Sequence, residues 1–307
     1  MYKSLADILA FFQDSIVYSL LTNLYVINDN ILQHLNSNIG GLKQMVDKKK
    51  FLVDVGMKDL PFPMRVISKA DQDGQFTIAN ISINARIMQE FEARWIDKFI
   101  QIVHQHRDRI GTKTLSVNIM DYVEELQATK VRIDFEYPFF VEKLTPVSKE
   151  KCLVRYLCNY SAKVTSVDDE PQIVFKMEIP CITTYPGSAP EKPGGLFGQL
   201  SVADIEVESK KNIYPEELVE IVDSHALSPV YSFLTEKDQV FIIQKIHSEN
   251  KSSVVMIDEI KNELARDSNI KWYSVRCSNF GMLHSYSTII GTEKNKWIPF
   301  SGYGEEI

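Results

Sequence analysis

The side chains able to do chemistry in this 307-residue chain are few and scattered. Of six histidines, His104 and His106 in "VHQHRDR" stand two positions apart, so they do not share a helical face and make poor joint ligands. The four cysteines, Cys152, Cys158, Cys181 and Cys277, form no Cys-x-x-Cys pair and no zinc-like spacing. Cys152, Cys158 and Cys181 fall in or beside apolar strand patterns, which suits buried, reduced thiols and a cytoplasmic compartment. The most irregular stretch is residues 182–201, "ITTYPGSAPEKPGGLFGQLS", with three prolines and four glycines directly after the strand-like "IVFKMEIPC". Such a loop at a strand end is where site residues collect.

Hydrophobic periodicity predicts the elements that must hold this loop. Leu5, Ile8, Leu9, Phe12, Ile16, Leu20, Leu24, Ile27, Ile31 and Leu35 recur at steps of three and four, an amphipathic helix or a broken pair. Its polar face carries Asp and Asn, which favours docking on protein, a partner included, over a membrane surface. "NIGGLKQMVDKKK" reads as a linker, so residues 1–50 form a helical extension. Beyond Phe51, "QFTIANISINA" reads as a hairpin strand, "FEARWIDKFIQIVHQH" as a helix with Phe91, Trp95, Phe99, Ile102 and Val103 on one face, and "SVNIMDYVEELQ" as a second helix. Three strands follow at "KVRIDFEYPFFVE", "CLVRYLCNYSAKVTSV" and "QIVFKMEIPCITTY". Helices at "YPEELVEIVDSH" and "SVVMIDEIKNELARD" precede a last strand pair, "IKWYSVRCSNF" and "SYSTIIGT". Antiparallel strand pairs with two helices on one face, twice over, give an α+β class with modules at 51–148 and 149–307.

A net charge of -7 leaves no basic surface for nucleic acid. No apolar run is long enough for a membrane span, and the N-terminus lacks a signal-peptide pattern. With 44% hydrophobic residues the chain can build its own core.

The stretches "VDVGMKDLPFPMRV", "RIDFEYPFFVEKLTPVS", "LVEIVDSHALSPVYSFL" and "IKWYSVRCSNFGMLHSYS" together resemble the type IB GTP cyclohydrolases over about residues 51–292. The resemblance implies a tunnelling fold, in which antiparallel four-stranded sheets with helices on one face join between subunits into barrels. It also implies a homotetramer or homodimer with sites at subunit interfaces. The family reaction uses a divalent metal held by Cys, His and Glu to activate water against the purine ring of GTP, and a separate Glu to anchor the guanine edge.

Carried over position by position, that machinery is rewritten in this chain. "YPGS" stands where the family has its Cys-Pro-Cys-Ser segment, placing Tyr185 at the metal Cys and Gly187 at the second Cys. "GLFGQLS" covers the His-Asn-Gln-Arg segment, with Phe197 at the His, Leu200 at the Arg and Gln199 retained. Gln239 replaces a carboxylate near the metal, and Val254 the guanine-anchoring Glu. In "NFGMLH" the metal His is kept as His284 and its Glu partner is Gly281. Trp95 in "EARWIDK" falls at the His of a substrate-contacting motif.

The resemblance then implies a pocket stripped of its metal set, with no cofactor expected, since one imidazole cannot hold a catalytic zinc ion. A replacement ion site of Asp223, His225 and His284, with His247 nearby, is the alternative; a lone His near a helix end is more often just hydrogen-bonded. The substitutions make the pocket aromatic and aliphatic, suited to a flatter, less charged small molecule than GTP. Tyr185 and His284 are the expected proton-transfer pair, and Gln239, Gln199, Phe197, Val254, Trp95 and Gly281 the expected ligand-binding positions. A non-catalytic binding or assembly role, or apolar residues that merely fill a disused cavity, would produce the same pattern. A GTP cyclohydrolase with unfamiliar ligands is the third reading.

Overall fold

The computed structural model describes residues 52–88, 93–166 and 169–294. The expected N-terminal helix, the linker and Phe91 lie outside the described residues. The rest follows from strict alternation. In β4 (Lys151–Val164), Cys152, Val154, Tyr156, Cys158, Tyr160, Ala162 and Val164 are all buried, while their neighbours along the strand are exposed or half-buried. With a side-chain period of two, such a strand has one wet and one dry face.

The same logic builds β1 (Leu52–Val66), β2 (Gln75–Met88), β3 (Ala128–Leu144), β5 (Gln172–Thr184), β6 (Gly198–Ser209), β8 (Ile270–Phe280) and β9 (Thr288–Glu293). They form one antiparallel sheet in the order β1-β2-β3-β4-β5-β6-β8-β9, with the two-residue β7 (Ser228–Pro229) pairing β5. The two four-stranded sheets that the resemblance implies run on into each other here: β4 pairs with β5 from Leu157↔Glu178 to Lys163↔Gln172. Residues 146–150 make the tight turn between β3 and β4.

Helices α1 (Trp95–Gln105) and α2 (Thr112–Glu125) sit between β2 and β3, and α3 (Pro215–His225), α4 (Glu236–Ser248) and α5 (Ser253–Arg266) between β6 and β8. Pro215 opens α3, where its missing N–H costs nothing. Helix α2 packs on β3, β4 and β5, α3 on β5, and α5 on β8 and β9. The core between these layers contains Tyr137, Tyr160 and Phe175, with ring centroids 6.4 and 4.5 Å apart. All four cysteines are buried and free. No described helix is long and apolar enough to cross a membrane.

Helix α4 is absent from the expectations above. Its buried Ile242 is accompanied by exposed Val240, Phe241 and Ile243, so the apolar residues do not form a single stripe. What starts it is a capping box: Asp238 accepts from the Thr235 N–H at 3.0 Å, and the Thr235 hydroxyl accepts from the Asp238 N–H at 3.4 Å. Asp238 also accepts from the N–H groups of Val147 and Ser148 at 2.8 and 2.9 Å and from the Ser148 hydroxyl at 2.6 Å, tying the β3–β4 turn to α4.

Burial pushes the Asp238 carboxyl up, but the bonds from Ser148, Thr235 and Val147 together outweigh it and hold the group below the usual range. A carboxyl depressed in the folded state stabilises above the unfolded pKa of about 4 and loses that contribution as pH falls. Asp238→Asn is therefore expected to lower the urea midpoint most at neutral pH, with the gap to the parent protein closing below about pH 4. A gap independent of pH would refute the assignment.

Candidate functional site

Three neighbouring strands finish at one edge, and the residues just beyond them converge. Tyr185 follows the end of β5, Phe197 precedes the start of β6, and Gly281 follows the end of β8. The pairings Thr184↔Gly198 and Leu200↔Phe280 set the three ends side by side. Across this edge the Tyr185 hydroxyl and His284 Nε2 share a 3.2 Å hydrogen bond. The Tyr185 ring stacks on Phe197 at 4.9 Å and 17°, and the His284 ring on Tyr286 at 4.8 Å and 17°.

The tyrosine ring fits because its flanks carry no side chains. A Cβ on Gly187 would lie 2.6 Å from Tyr185 Cε1, and one on Gly281 2.9 Å from Cε2, closer than carbon atoms approach. One face of the ring is taken by Phe197, both edges by glycines and the hydroxyl by His284.

The irregular loop is pinned from outside the sheet. Tyr185 N–H donates to the Phe197 carbonyl at 2.9 Å, and the Ser188 hydroxyl to the Tyr185 carbonyl at 2.7 Å. His247 on α4 reaches the Leu196 carbonyl through Nδ1 at 2.6 Å. Lys251 exchanges two bonds with Thr184: the Thr184 N–H donates to its carbonyl at 2.8 Å, and its own N–H to the Thr184 hydroxyl at 2.7 Å. Gly194 and Gly195 turn the chain in the left-handed region, at φ +89° and +65°, which a glycine adopts at least cost.

Beneath Tyr185 runs a buried polar ladder that crosses β5, β6 and β8. Gln199 Nε2 donates to the Thr183 hydroxyl at 3.2 Å, Thr183 and Ser201 share a 2.7 Å bond, and the Ser201 hydroxyl donates to Asn279 Oδ1 at 2.8 Å. The Cys277 thiol donates to the same oxygen at 3.6 Å. Burial pushes that thiol up to about 11, so it stays protonated and a donor at neutral pH.

The remaining candidate residues lie apart from this group. Gln239 is exposed on α4 and donates to the Leu234 carbonyl at 3.3 Å. Val254 is 57% exposed in the first turn of α5. Trp95 is buried in the core, its ring 6.5 Å from Phe99. Asp223 pairs with Lys143, His225 lies between Glu259 and Glu263 at 3.2 and 2.6 Å, and His284 bonds Tyr185. Three separate networks thus hold the alternative ion-site residues, and among the described residues no cluster of three or more His, Cys, Asp or Glu is arranged to bind a metal. Leu200, Phe280, Met282, Leu283 and Tyr286 leave an exposed apolar rim around the site.

The ladder residues Thr183, Ser201 and Asn279 carry no distinguishing sequence signal. Each is one polar residue in an alternating strand, and only register puts them in line.

An antiparallel sheet backed by helices, with a polar constellation at one end of its strands, defines a tunnelling-like fold. A uricase from Bacillus fastidious shares it with a TM-score of 0.50 at 11% identity, covering 78% of this chain and 92% of that one. The family described as Type I GTP cyclohydrolase folE2 matches residues 43–289, and the chain belongs to that family. Relatives named GTP cyclohydrolase FolE2 include those of Citrifermentans bemidjiense, 29% identical over 242 residues (79% of this chain, 89% of the relative), and Geotalea uraniireducens, 28% identical (79% and 88%).

Proposed function

We propose that this family member is an enzyme that moves a proton on a flat, small cyclic substrate less charged than GTP, with Tyr185 and His284 as the acid–base pair. The observation that carries the reading is the 3.2 Å bond between the Tyr185 hydroxyl and His284 Nε2, at a strand edge where two glycines and Phe197 hold the phenol. A phenol in contact with an imidazole can give a proton to a ring atom and be recharged by the histidine. Phe197 and Tyr286 supply aromatic surface, and among the described residues no carboxylate is hydrogen-bonded to Tyr185, Phe197, Gln199 or His284.

The metal of the resembling enzymes does not fit these donors. Tyr185 fills the space beside Gly281 with a carbon ring, and among the described residues no group of three or more His, Cys, Asp or Glu is arranged to hold a metal there. We read the site as working without a metal. The strand–helix order β1-β2-α1-α2-β3-β4 recurs as β5-β6-helices-β8-β9, which supports two tandem modules with their seam between β4 and β5 rather than at the expected 148/149. The exposed apolar rim suits cover by a second copy in a homo-oligomer.

Native mass spectrometry of the purified protein, joined to an assay of formate release from GTP with added Zn²⁺ or Mn²⁺, tests this reading. The expected result is an assembly without metal, carrying a small neutral or weakly charged molecule, and no formate. The second reading, a GTP cyclohydrolase like its named relatives, is favoured by the match across 79% of the chain. Metal-dependent formate release would establish it.

A further inference from the structure

Gln199 is 5% exposed, yet one of its polar atoms is unused. Its Nε2 is committed to Thr183, and no described residue donates to its Oε1. That oxygen lies 3.7 Å from where a Gly281 Cβ would stand, a point itself 2.9 Å from the Tyr185 ring edge. The direction of the amide agrees with the far end of the ladder. With the Ser201 hydroxyl donating to Asn279 Oδ1, Ser201 accepts from Thr183, and Thr183 accepts from Gln199 Nε2. The Cys277 thiol, also donating to Asn279 Oδ1, closes the series.

From this polarity we infer that Gln199 is a specificity-determining residue, presenting a hydrogen-bond acceptor beside Tyr185 and selecting ligands that carry a ring N–H, of lactam or amidine type. The inference rests on the reading of the Tyr185 edge as a site for a flat neutral heterocycle. A glutamine free to rotate would serve N–H and carbonyl ligands alike; one locked by a buried ladder discriminates, because a ligand without the donor leaves a buried oxygen unpaired.

The test uses two probes of nearly equal shape: quinazolinone, a bicyclic lactam with one N–H beside its carbonyl, and its N-methyl derivative. Affinities are measured by calorimetry on the intact protein, on Gln199→Met and on Thr183→Val, which keeps Gln199 but removes the hydroxyl that orients it. The parent protein is expected to bind the N–H probe at least about tenfold more tightly, and both variants to bring the two probes within about twofold of each other. Equal affinities in the parent protein, or a preference for the N-methyl probe, would overturn the inference and leave the site reading intact. Discrimination that survives in Gln199→Met would show that methyl bulk alone is excluded and would overturn it too. If neither probe binds, the reading of the edge as a heterocycle site fails and takes the inference with it. The comparison within the parent protein needs no variant to fold.

Discussion

Replacing Tyr185 with Phe is expected to lower kcat on the true substrate by about 10²- to 10⁴-fold, the usual contribution of a positioned acid or base, while KM moves by only a few-fold. The substitution is conservative in shape. The ring keeps its stack on Phe197 and its place between Gly187 and Gly281, and only the hydroxyl that meets His284 is removed. Thermal stability should therefore be nearly unchanged, which separates a catalytic role from a packing one. The substrate for the assay is the molecule that co-purifies with the protein. Full turnover by Tyr185→Phe would exclude the proton-transfer pair; a fall in stability with turnover intact would make Tyr185 a packing residue.

The second large effect is expected from Lys143, away from the site. Its side chain is 8% exposed and pairs with Asp223, itself 19% exposed, bridging β3 and α3. The ammonium also lies 5.4 and 5.9 Å from the ring centres of Tyr156 and Tyr231, and no described residue donates a hydrogen bond to Asp223 Oδ1. Lys143→Met leaves that carboxylate buried without its cation, at a cost of about 3–5 kcal/mol at neutral pH. Adding Asp223→Leu should recover most of the loss, since a well-packed apolar pair often matches a buried ion pair.

The pH dependence carries a definite sign. Burial pushes the Asp223 carboxyl up even against the pull of Lys143, and removing the lysine pushes it further. An acid with a folded-state pKa above its unfolded one is held protonated more tightly by the native protein, so stability falls as pH rises through that window. Lys143→Met should be more stable at pH 5 than at pH 8 in urea unfolding, and the double variant should lose that slope. A single variant with no slope, or a double variant no better than the single, would refute the buried-charge account.

Much of this protein is legible in one dimension. Alternation along "CLVRYLCNYSAKV" and "QIVFKMEIPCITT" fixes both strands, because a one-sided sheet buries every second residue. Spacing in "WIDKFIQIVHQ" yields the helix that buries Trp95, Phe99, Ile102 and Val103. Motif positions also draw attention to Tyr185, Phe197, Gln199, Gly281 and His284, five residues the structure brings to one strand edge. Helix α4 stays hidden because its apolar residues face several ways and its start depends on Asp238, which serves a distant turn as well as its own cap.

Only the tertiary structure decides the rest. Gln239, Val254 and Trp95 belong to the same set of motif positions, yet helix rotation and core packing place them apart from Tyr185. The joining of β4 to β5 turns two expected sheets into one, since open strand edges pair wherever geometry lets them. The polarity of Gln199 depends on Thr183, Ser201 and Asn279, residues up to 96 positions apart that meet only through register. Composition and periodicity are local properties of the chain; hydrogen-bond direction and the room around a ring belong to neighbours that only folding supplies.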